Sequence, residues 1–211
     1  MNPGDLLTKS DAEILAIAHQ LRVAYGMKRT LRYNSTRDFT VHSESVAEHV
    51  FALIFLATYF VSLEEVGPSL DKAKLYEILL YHDFGEIIHG DAVTYYKTKE
   101  HAEREKLAAK EVFASLPASL QEVAEECWRA YEEHTCPEAY FAHALDKVEP
   151  LFELLDPVNE RSVKRLKTTY TMHIGHKLKE VDAYPVMKRF TNVISNDMKE
   201  RGVFWPDEKE K

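Results

Sequence analysis

Apolar residues recur every three or four positions along most of this 211-residue chain, which is the spacing of residues that share one face of an α-helix. No segment shows the strict apolar and polar alternation that indicates a half-buried β-strand. The pattern therefore predicts an all-α fold, organised as a single-domain helical bundle. Helices are predicted over residues 10–25, 44–64, 71–88, 98–115, 119–133, 137–155 and 170–200.

Helix start signals and sparse helix breakers support this prediction. The Gly and Pro breaks between the predicted helices are short, and no linker, repeat or low-complexity segment divides the chain. We therefore expect one domain over residues 1–211, with a core over about 20–200 and a frayed, charged tail at 206–211. Three S/T-x-x-E sequences predict capping boxes: Ser45 with Glu48, Ser119 with Glu122, and Thr135 with Glu138.

The chain is acidic, with a formal net charge of −8 and a pI near 5.7. This charge argues against a long nucleic acid as a partner, because a binding face for one neutralises many phosphates with Lys and Arg. An anionic substrate would need positive charge concentrated locally, in a metal ion or in a few cationic side chains. Cys127 and Cys136 lie nine positions apart without a CxxC spacing. We therefore expect thiols that are buried or without a function, and not a zinc site or a redox pair.

Nothing in the apolar pattern indicates a membrane protein. No basic and apolar leader opens the sequence, and the longest apolar run, residues 50–61, is too short to span a bilayer. We therefore expect a cytoplasmic location and no membrane partner.

In the predicted helix 71–88, apolar residues share one face at the i, i+3, i+4 spacing. The same spacing continued along the helix reaches three ionisable residues: His82, Asp83 and Glu86. Burying two carboxylates and an imidazole side by side costs several kcal/mol unless something compensates the charge. A bound cation would supply that compensation. The alternative is that the three residues lie at a solvated rim or pair with basic neighbours.

His49 and Asp146 occupy similar positions on two other predicted helices. His49 follows Val46 by three residues on an apolar helix, and Asp146 lies directly after Leu145 on another. Taken alone, each could equally be a buried polar residue whose hydrogen bonds are made within the core. Together with His82 and Asp83 they form a candidate N/O ligand set for one divalent ion, with positions open to water and substrate.

Four sequence segments carry a family resemblance: ESVAEH at 44–49, YHDFGEIIHGD at 81–91, EEHTCPEA at 132–139 and DKVE at 146–149. In their order and spacing they resemble the HD-domain phosphohydrolases, and within that superfamily the 5′-deoxynucleotidase branch. The resemblance implies an all-helical, metal-dependent enzyme that releases phosphate from deoxyribonucleoside 5′-monophosphates and is commonly a homodimer. It also implies that the metal ligands are His49, His82, Asp83 and Asp146.

The same resemblance implies roles for three further acids. Glu86 would be a catalytic carboxylate beside the metal, and on a continuous helix it would lie one turn from His82. Asp91 would engage the sugar, although a loop acid after Gly90 is equally suited to capping a helix. Glu133 matches a position in the substrate pocket, with an ordinary acid at a helix end as the alternative.

A basic stretch ahead of the first ligand resembles the phosphate-binding segment of the family. Arg32 is the first candidate for the phosphate, because its planar guanidinium matches phosphate oxygens. The sequence departs from the family here, with Tyr33 and Asn34 where relatives carry a tryptophan. Tyr33 would stack on the base or sugar, and Arg29 and Arg37 are alternatives for the phosphate.

Two adjacent positions, Glu86 and Ile87, distinguish the branches of the superfamily. Cyclic-dinucleotide phosphodiesterases carry a lysine where this chain has Glu86, and hydrolases of stringent-response nucleotides carry an acid where it has Ile87. The alternatives that remain are hydrolysis of a deoxynucleoside triphosphate or another small phosphoester, and a non-catalytic, metal-stabilised nucleotide-binding module. The ligand set suits Mn, Co or Mg first, with Fe, Ni or Zn also compatible.

Overall fold

The computed structural model describes residues 3–21, 45–89, 97–116 and 118–207. No β-strand occurs in these ranges, and an isolated parallel bridge joins Thr169 to Trp205. The prediction of an all-α fold is confirmed. The helices are α1 Pro3–Leu7, α2 Asp11–Leu21, α3 Val46–Phe60, α4 Lys72–Tyr81, α5 Glu86–His89, α6 Lys99–Ser115, α7 Ala118–Glu133, α8 Pro137–Glu153, α9 Pro157–Arg165, α10 Tyr170–Val181 and α11 Pro185–Glu200.

Two of the predicted helices are each divided in the structure. The segment 71–88 forms α4 and α5, separated by a turn at residues 82–85. The segment 170–200 forms α10 and α11, because the chain turns before Pro185, which lacks the amide hydrogen needed inside a helix. Helices α1 and α9 were absent from the prediction.

Of the three predicted capping boxes, the structure contains the first. The Ser45 side chain accepts from the Glu48 amide, and the Glu48 carboxylate accepts from the Ser45 amide at 2.8 Å. Ser119 lies inside α7, which begins at Ala118, and Thr135 lies two residues ahead of α8. These two predictions are wrong because a four-residue pattern does not determine where the first helical turn closes.

The chain divides into two compact units. Residues 1–68 and 144–211 form the first unit, and residues 69–143 form the second. The boundary falls within α8, so this helix contributes its N-terminal part to the second unit and its C-terminal part to the first.

An aromatic cluster lies in the core of the first unit. The ring of Phe190 on α11 lies 5.3 Å from that of Phe60 and 5.9 Å from that of Phe152, centroid to centroid. Helix α11 also packs against α1, α2 and α10. Its first turn is capped by a residue distant in sequence. The buried Glu64 carboxylate accepts a hydrogen bond from the Met187 amide at 2.8 Å.

The second unit is built on α7, against which α4 and α6 pack. Helix α5 packs against α6, and Gly85 at its start makes this approach possible. A Cβ atom on Gly85 would lie 2.9 Å from the carbonyl oxygen of Glu105, closer than non-bonded atoms pack. This glycine therefore allows the turn after α4 to lie directly against the α6 backbone.

Candidate metal centre

The first unit places His49 between two carboxylates of α8. Its Nε2 lies 3.1 Å from Asp146 Oδ1, and its Nδ1 lies 2.9 Å from Glu149 Oε2. His49 is in the first turn of α3, where its amide donates to the Ser45 carbonyl at 3.0 Å. The capping box at Ser45 therefore determines where the imidazole enters the unit.

Glu149 determines which nitrogen of His49 is available to a ligand. The Glu149 side chain is fully buried, so its carboxylate is a strong acceptor for a hydrogen on Nδ1. If a metal ion replaced the proton on Nε2, the Nδ1 proton held by Glu149 would keep Nε2 as the ligating nitrogen, on the side of Asp146. Burial alone would lower the pKa of His49, but the hydrogen bonds to Asp146 and Glu149 raise it above its ordinary value.

The second unit places His82 and Asp83 at the C-terminal end of α4. His82 follows the last residue of this helix, and its Nδ1 lies 2.9 Å from the Leu79 carbonyl oxygen. Its Nε2 lies 3.1 Å from Asp83 Oδ2. The ring of Tyr131 on α7 lies 4.9 Å from the imidazole, centroid to centroid, and helps to hold its plane.

Each unit therefore presents the same arrangement of one imidazole and one carboxylate. In both, Nδ1 meets an acceptor and Nε2 lies 3.1 Å from an aspartate oxygen. Adjacent donor atoms lie about 3 Å apart when a divalent ion binds them with bonds of about 2.1 Å in octahedral geometry. Metal-binding histidines commonly donate the other ring N–H to a carboxylate or a backbone carbonyl. The residues present therefore fit a divalent metal ion.

A group of charged residues surrounds Asp83 and Glu86 within the second unit. Desolvation, followed by the negative charges of Glu105 and Asp83, raises the pKa of Glu132. Lys97 Nζ lies 2.5 Å from Glu105 Oε2. Burial lowers the pKa of Lys97, but Glu105, Glu132 and Glu86 outweigh it and raise the pKa overall. Lys97 thus offsets part of the acidic charge next to Glu86.

A model of the HD domain family matches residues 25–194. The chain belongs to the HD domain family. The resemblance inferred from the four sequence segments is thereby confirmed. The matched range includes residues of both units, whereas the extent of a single domain over residues 1–211 stays a prediction.

Curated relatives and a solved structure agree with this membership. A 5′-deoxynucleotidase from Bos taurus is 30% identical over 135 residues, which span 63% of this chain and 63% of the bovine protein. The matched part thus covers less than two thirds of that relative. A 5′-deoxynucleotidase from Schizosaccharomyces pombe is 26% identical over 175 residues, or 80% of this chain and 81% of the relative.

The solved structure is a crystal structure described as a predicted metal-dependent phosphohydrolase from Magnetospirillum magnetotacticum MS-1. It is 23% identical, with a TM-score of 0.67, and the likeness covers 91% of this chain and 98% of that one. The likeness confirms the HD-type, all-α fold.

Within this HD domain, the turn at residues 82–85 corrects the predicted geometry of Glu86. Glu86 is the first residue of α5, and its amide donates to the Asp83 carbonyl at 2.9 Å. His82 and Glu86 therefore do not share one face of a continuous helix, contrary to the prediction. Glu86 is half-buried, and Asp83 and Glu86 follow one another through this tight turn.

Other predicted site residues of the HD domain are exposed or lie outside the described ranges. Glu133 is exposed at the end of α7, as is the preceding Glu132, whose charge interacts with that of Asp83. The role of Glu133 stays a prediction. Four of the remaining predicted residues precede the described start of α3 and one follows α5: Arg29, Arg32, Tyr33, Arg37 and Asp91.

Sequence reasoning missed three residues of the HD domain that surround Asp146. Glu149 follows Asp146 by three positions in the DKVE segment, so helical spacing alone could have placed both on one face. Lys147 Nζ lies 2.6 Å from Asp146 Oδ2. Lys177 lies on α10 and donates to the carbonyl of Lys147. No local pattern connects Lys177 to the segment 146–149, because their contact is tertiary.

Proposed function

We propose that this HD domain is a metal-dependent phosphoric monoester hydrolase, specifically a 5′-deoxynucleotidase that releases phosphate from deoxyribonucleoside 5′-monophosphates. The carrying observation is the arrangement found in each unit, an imidazole with Nδ1 held by an acceptor and Nε2 next to an aspartate oxygen. The curated relatives named 5′-deoxynucleotidases support the choice of substrate.

One divalent ion would be held by His49, His82, Asp83 and Asp146, the ligands that the family resemblance implies. Two imidazole nitrogens and two carboxylate oxygens suit Mn, Co or Mg, and they tolerate Fe, Ni or Zn. When bound, such an ion supplies positive charge to a phosphoryl oxygen and lowers the pKa of a bound water.

Glu86 is the proposed catalytic carboxylate. It follows the ligand Asp83 by one tight turn, and it interacts with the positive charge of Lys97. A half-buried carboxylate at this position can orient the attacking water and accept its proton. The family resemblance assigns the substrate contacts to Arg32 for phosphate, Tyr33 for the base or sugar, Asp91 for the sugar and Glu133 for the pocket.

The proposed partners are a small nucleotide and a second copy of the chain in a homodimer. None of the helices in the described ranges is long and apolar enough to cross a membrane. The cytoplasmic location stays a prediction. Light scattering coupled to size exclusion tests the dimer, because a monomer and a dimer of a 24.4 kDa chain differ twofold in mass.

Phosphate release from a panel of deoxyribonucleoside and ribonucleoside 5′-monophosphates tests the proposed activity. The protein is first treated with a chelator and then supplied with single divalent metals. We expect metal-dependent release from the deoxyribonucleotides, and its loss in Glu86→Ala. Glu111→Ala is the matched control, because Glu111 is an exposed acid on α6 and its removal should leave turnover unchanged.

Other outcomes would redirect the assignment. Turnover of deoxynucleoside triphosphates without turnover of monophosphates would favour the triphosphate hydrolases of the superfamily. Metal-dependent binding of nucleotides without any hydrolysis would identify a nucleotide-binding module. Absence of both binding and hydrolysis with every metal would refute the proposed substrate class.

A further inference from the structure

A buried lysine lies behind the ligand Asp146. Lys177 on α10 is 5% exposed, and its Nζ donates to the backbone carbonyl of Lys147 at 2.5 Å. Burying an ammonium group costs several kcal/mol unless hydrogen bonds and opposite charges compensate it. The groups that accept a hydrogen bond from Lys177 or interact with its charge therefore indicate its role in the fold.

The carbonyl that Lys177 contacts belongs to a weak turn of α8. Pro150 lies inside this helix and has no amide hydrogen, so the helical bond from residue 150 to the Asp146 carbonyl cannot form. The ring of a proline also crowds the carbonyl four residues earlier. The turn that contains Asp146 and Glu149 thus lacks one backbone hydrogen bond. Lys177, on α10, donates a hydrogen bond to the Lys147 carbonyl in this turn.

The charges around Lys177 belong to the same turn. Asp146 and Glu149 favour the charged form of Lys177, whereas burial and the charge of Lys147 oppose it. Burial is the larger effect and lowers the pKa of Lys177 to about 7. The two carboxylates are those that lie against Nε2 and Nδ1 of His49. Lys177 is therefore coupled to both of them by position and by charge.

We propose that Lys177 is a positioning residue, whose hydrogen bond to the Lys147 carbonyl holds the Asp146–Glu149 turn of α8 against His49. This role rests on the proposed function, because it assumes that His49 and Asp146 bind the metal ion. Lys177 itself does not contact the substrate or the ion. Its contribution is to keep the Asp146 oxygen and the oriented His49 nitrogen at the separation that binding requires.

Co²⁺ binding to the metal-free protein tests this role, with Lys177→Met as the variant and Lys179→Met as the control. Methionine has a similar volume without the charge, and the Lys179 side chain on the same helix is 84% exposed. We expect the Co²⁺ dissociation constant to rise about 10-fold to 100-fold in Lys177→Met, as when outer partners of metal ligands are removed. The visible absorption spectrum of bound Co²⁺ should change, because it reports the arrangement of the ligands.

Thermal unfolding of the metal-free protein separates positioning from simple structural support. We expect Lys177→Met to unfold at the same or a higher temperature than the wild type, because the cost of burying the Lys177 ammonium outweighs its attraction to Asp146 and Glu149. A second change, Pro150→Ala, restores the amide hydrogen at position 150. In the double variant Lys177→Met/Pro150→Ala, the Co²⁺ affinity should recover towards the wild-type value.

The possible results lead to distinct conclusions. Unchanged Co²⁺ affinity in Lys177→Met, or a parallel loss of affinity and unfolding temperature with an unchanged spectrum, would overturn the positioning role. Failure of Pro150→Ala to restore affinity would overturn the argument from the weak turn. If Lys177→Met does not fold, Lys177→Gln provides the same comparison. Absence of Co²⁺ binding by the wild type would refute the proposed metal site itself, and the role of Lys177 with it.

Discussion

At the scale of single residues, the chemistry depends on which nitrogen of each imidazole is held. Nδ1 of His49 is held by a buried carboxylate and Nδ1 of His82 by a backbone carbonyl, so Nε2 of each ring faces an aspartate oxygen. Asp83 and Asp146, the two aspartates of the proposed ligand set, are partly exposed, with side chains that are 17% and 16% exposed. A metal ion bound by these aspartates would therefore be accessible to water or substrate.

Asp83 and Glu86 should be separable by experiment even though one turn joins them. Asp83→Ala removes a ligand oxygen, so we expect loss of metal binding and, with it, of activity. Glu86→Ala should leave the metal affinity within about threefold and lower kcat by at least about 100-fold, the usual contribution of a positioned acid or base. Calorimetric metal titration together with steady-state kinetics measures both. Equal effects of the two variants on both quantities would contradict this division of roles.

Glu149 is expected to act on the metal through His49. In Glu149→Gln the shape is kept, but the acceptor for the Nδ1 hydrogen loses its charge, and the imidazole becomes a weaker ligand. We expect the metal dissociation constant to rise at least about 10-fold. Isothermal titration with Mn²⁺ measures this change, and Glu125→Gln, at an exposed position on α7, is the control. A metal affinity equal to that of the wild type would show that Glu149 does not tune His49.

At the scale of helices, the turn between α4 and α5 shows how tertiary contact overrides local pattern. Helical periodicity continues through residues 71–88, and it gave no reason to end the helix at Tyr81. The structure ends it there, with hydrogen bonds of Phe84 to Tyr81 and of Glu86 to Asp83. Gly85 then permits contact with the α6 backbone. The glycine was visible in the sequence, but its neighbour Glu105 was not.

Gly85→Ala should destabilise the protein through that contact. The added methyl group would lie 2.9 Å from the Glu105 carbonyl oxygen, so the turn or α6 must shift. Overpacking of this kind costs about 1–3 kcal/mol. Gly175→Ala is a matched control on α10, where a Cβ atom meets nothing within 4 Å. There alanine should stabilise the helix by about 0.5–1 kcal/mol. Urea unfolding of both variants measures the difference, and equal effects would exclude the steric explanation.

At the scale of the whole molecule, acid lability should depend on a buried histidine that is not among the proposed ligands. His173 is 1% exposed, and its Nε2 lies 3.1 Å from Ser195 Oγ on α11. Burial, followed by the charge of Lys177, lowers its pKa from 6.5 to about 2. The unfolded chain therefore binds the proton more readily between these values, so folding stability falls as the pH drops below 6.5.

His173→Gln should remove this part of the acid dependence. We expect the wild type to lose about 1.4 kcal/mol of stability per pH unit below 6.5 relative to the variant. Denaturant unfolding of the metal-free proteins at pH 7.5, 6.5 and 5.5 measures this difference. The exposed His19 on α2 provides the control His19→Gln. If the stability of the wild type and that of His173→Gln change in parallel with pH over this range, His173 is not the residue that responds to acid.

Much of the HD domain was predictable from local sequence. Helical periodicity predicted an all-α protein, and the short segments around His49, His82 and Asp146 predicted the family and the candidate ligands. These predictions succeed because amphipathic spacing and short motifs are properties of neighbouring residues. The ligand roles themselves remain predictions that the metal titrations test.

Tertiary structure alone decided which groups surround those candidates. Glu64 capping α11, Glu105 meeting Gly85, and Lys177 meeting Lys147 all join residues distant in sequence. Their physical basis is a hydrogen bond or a close packing contact that forms only when helices meet. The chain thus encodes its helices and motif residues locally, whereas the orientation of His49 and the environment of Asp146 arise from packing.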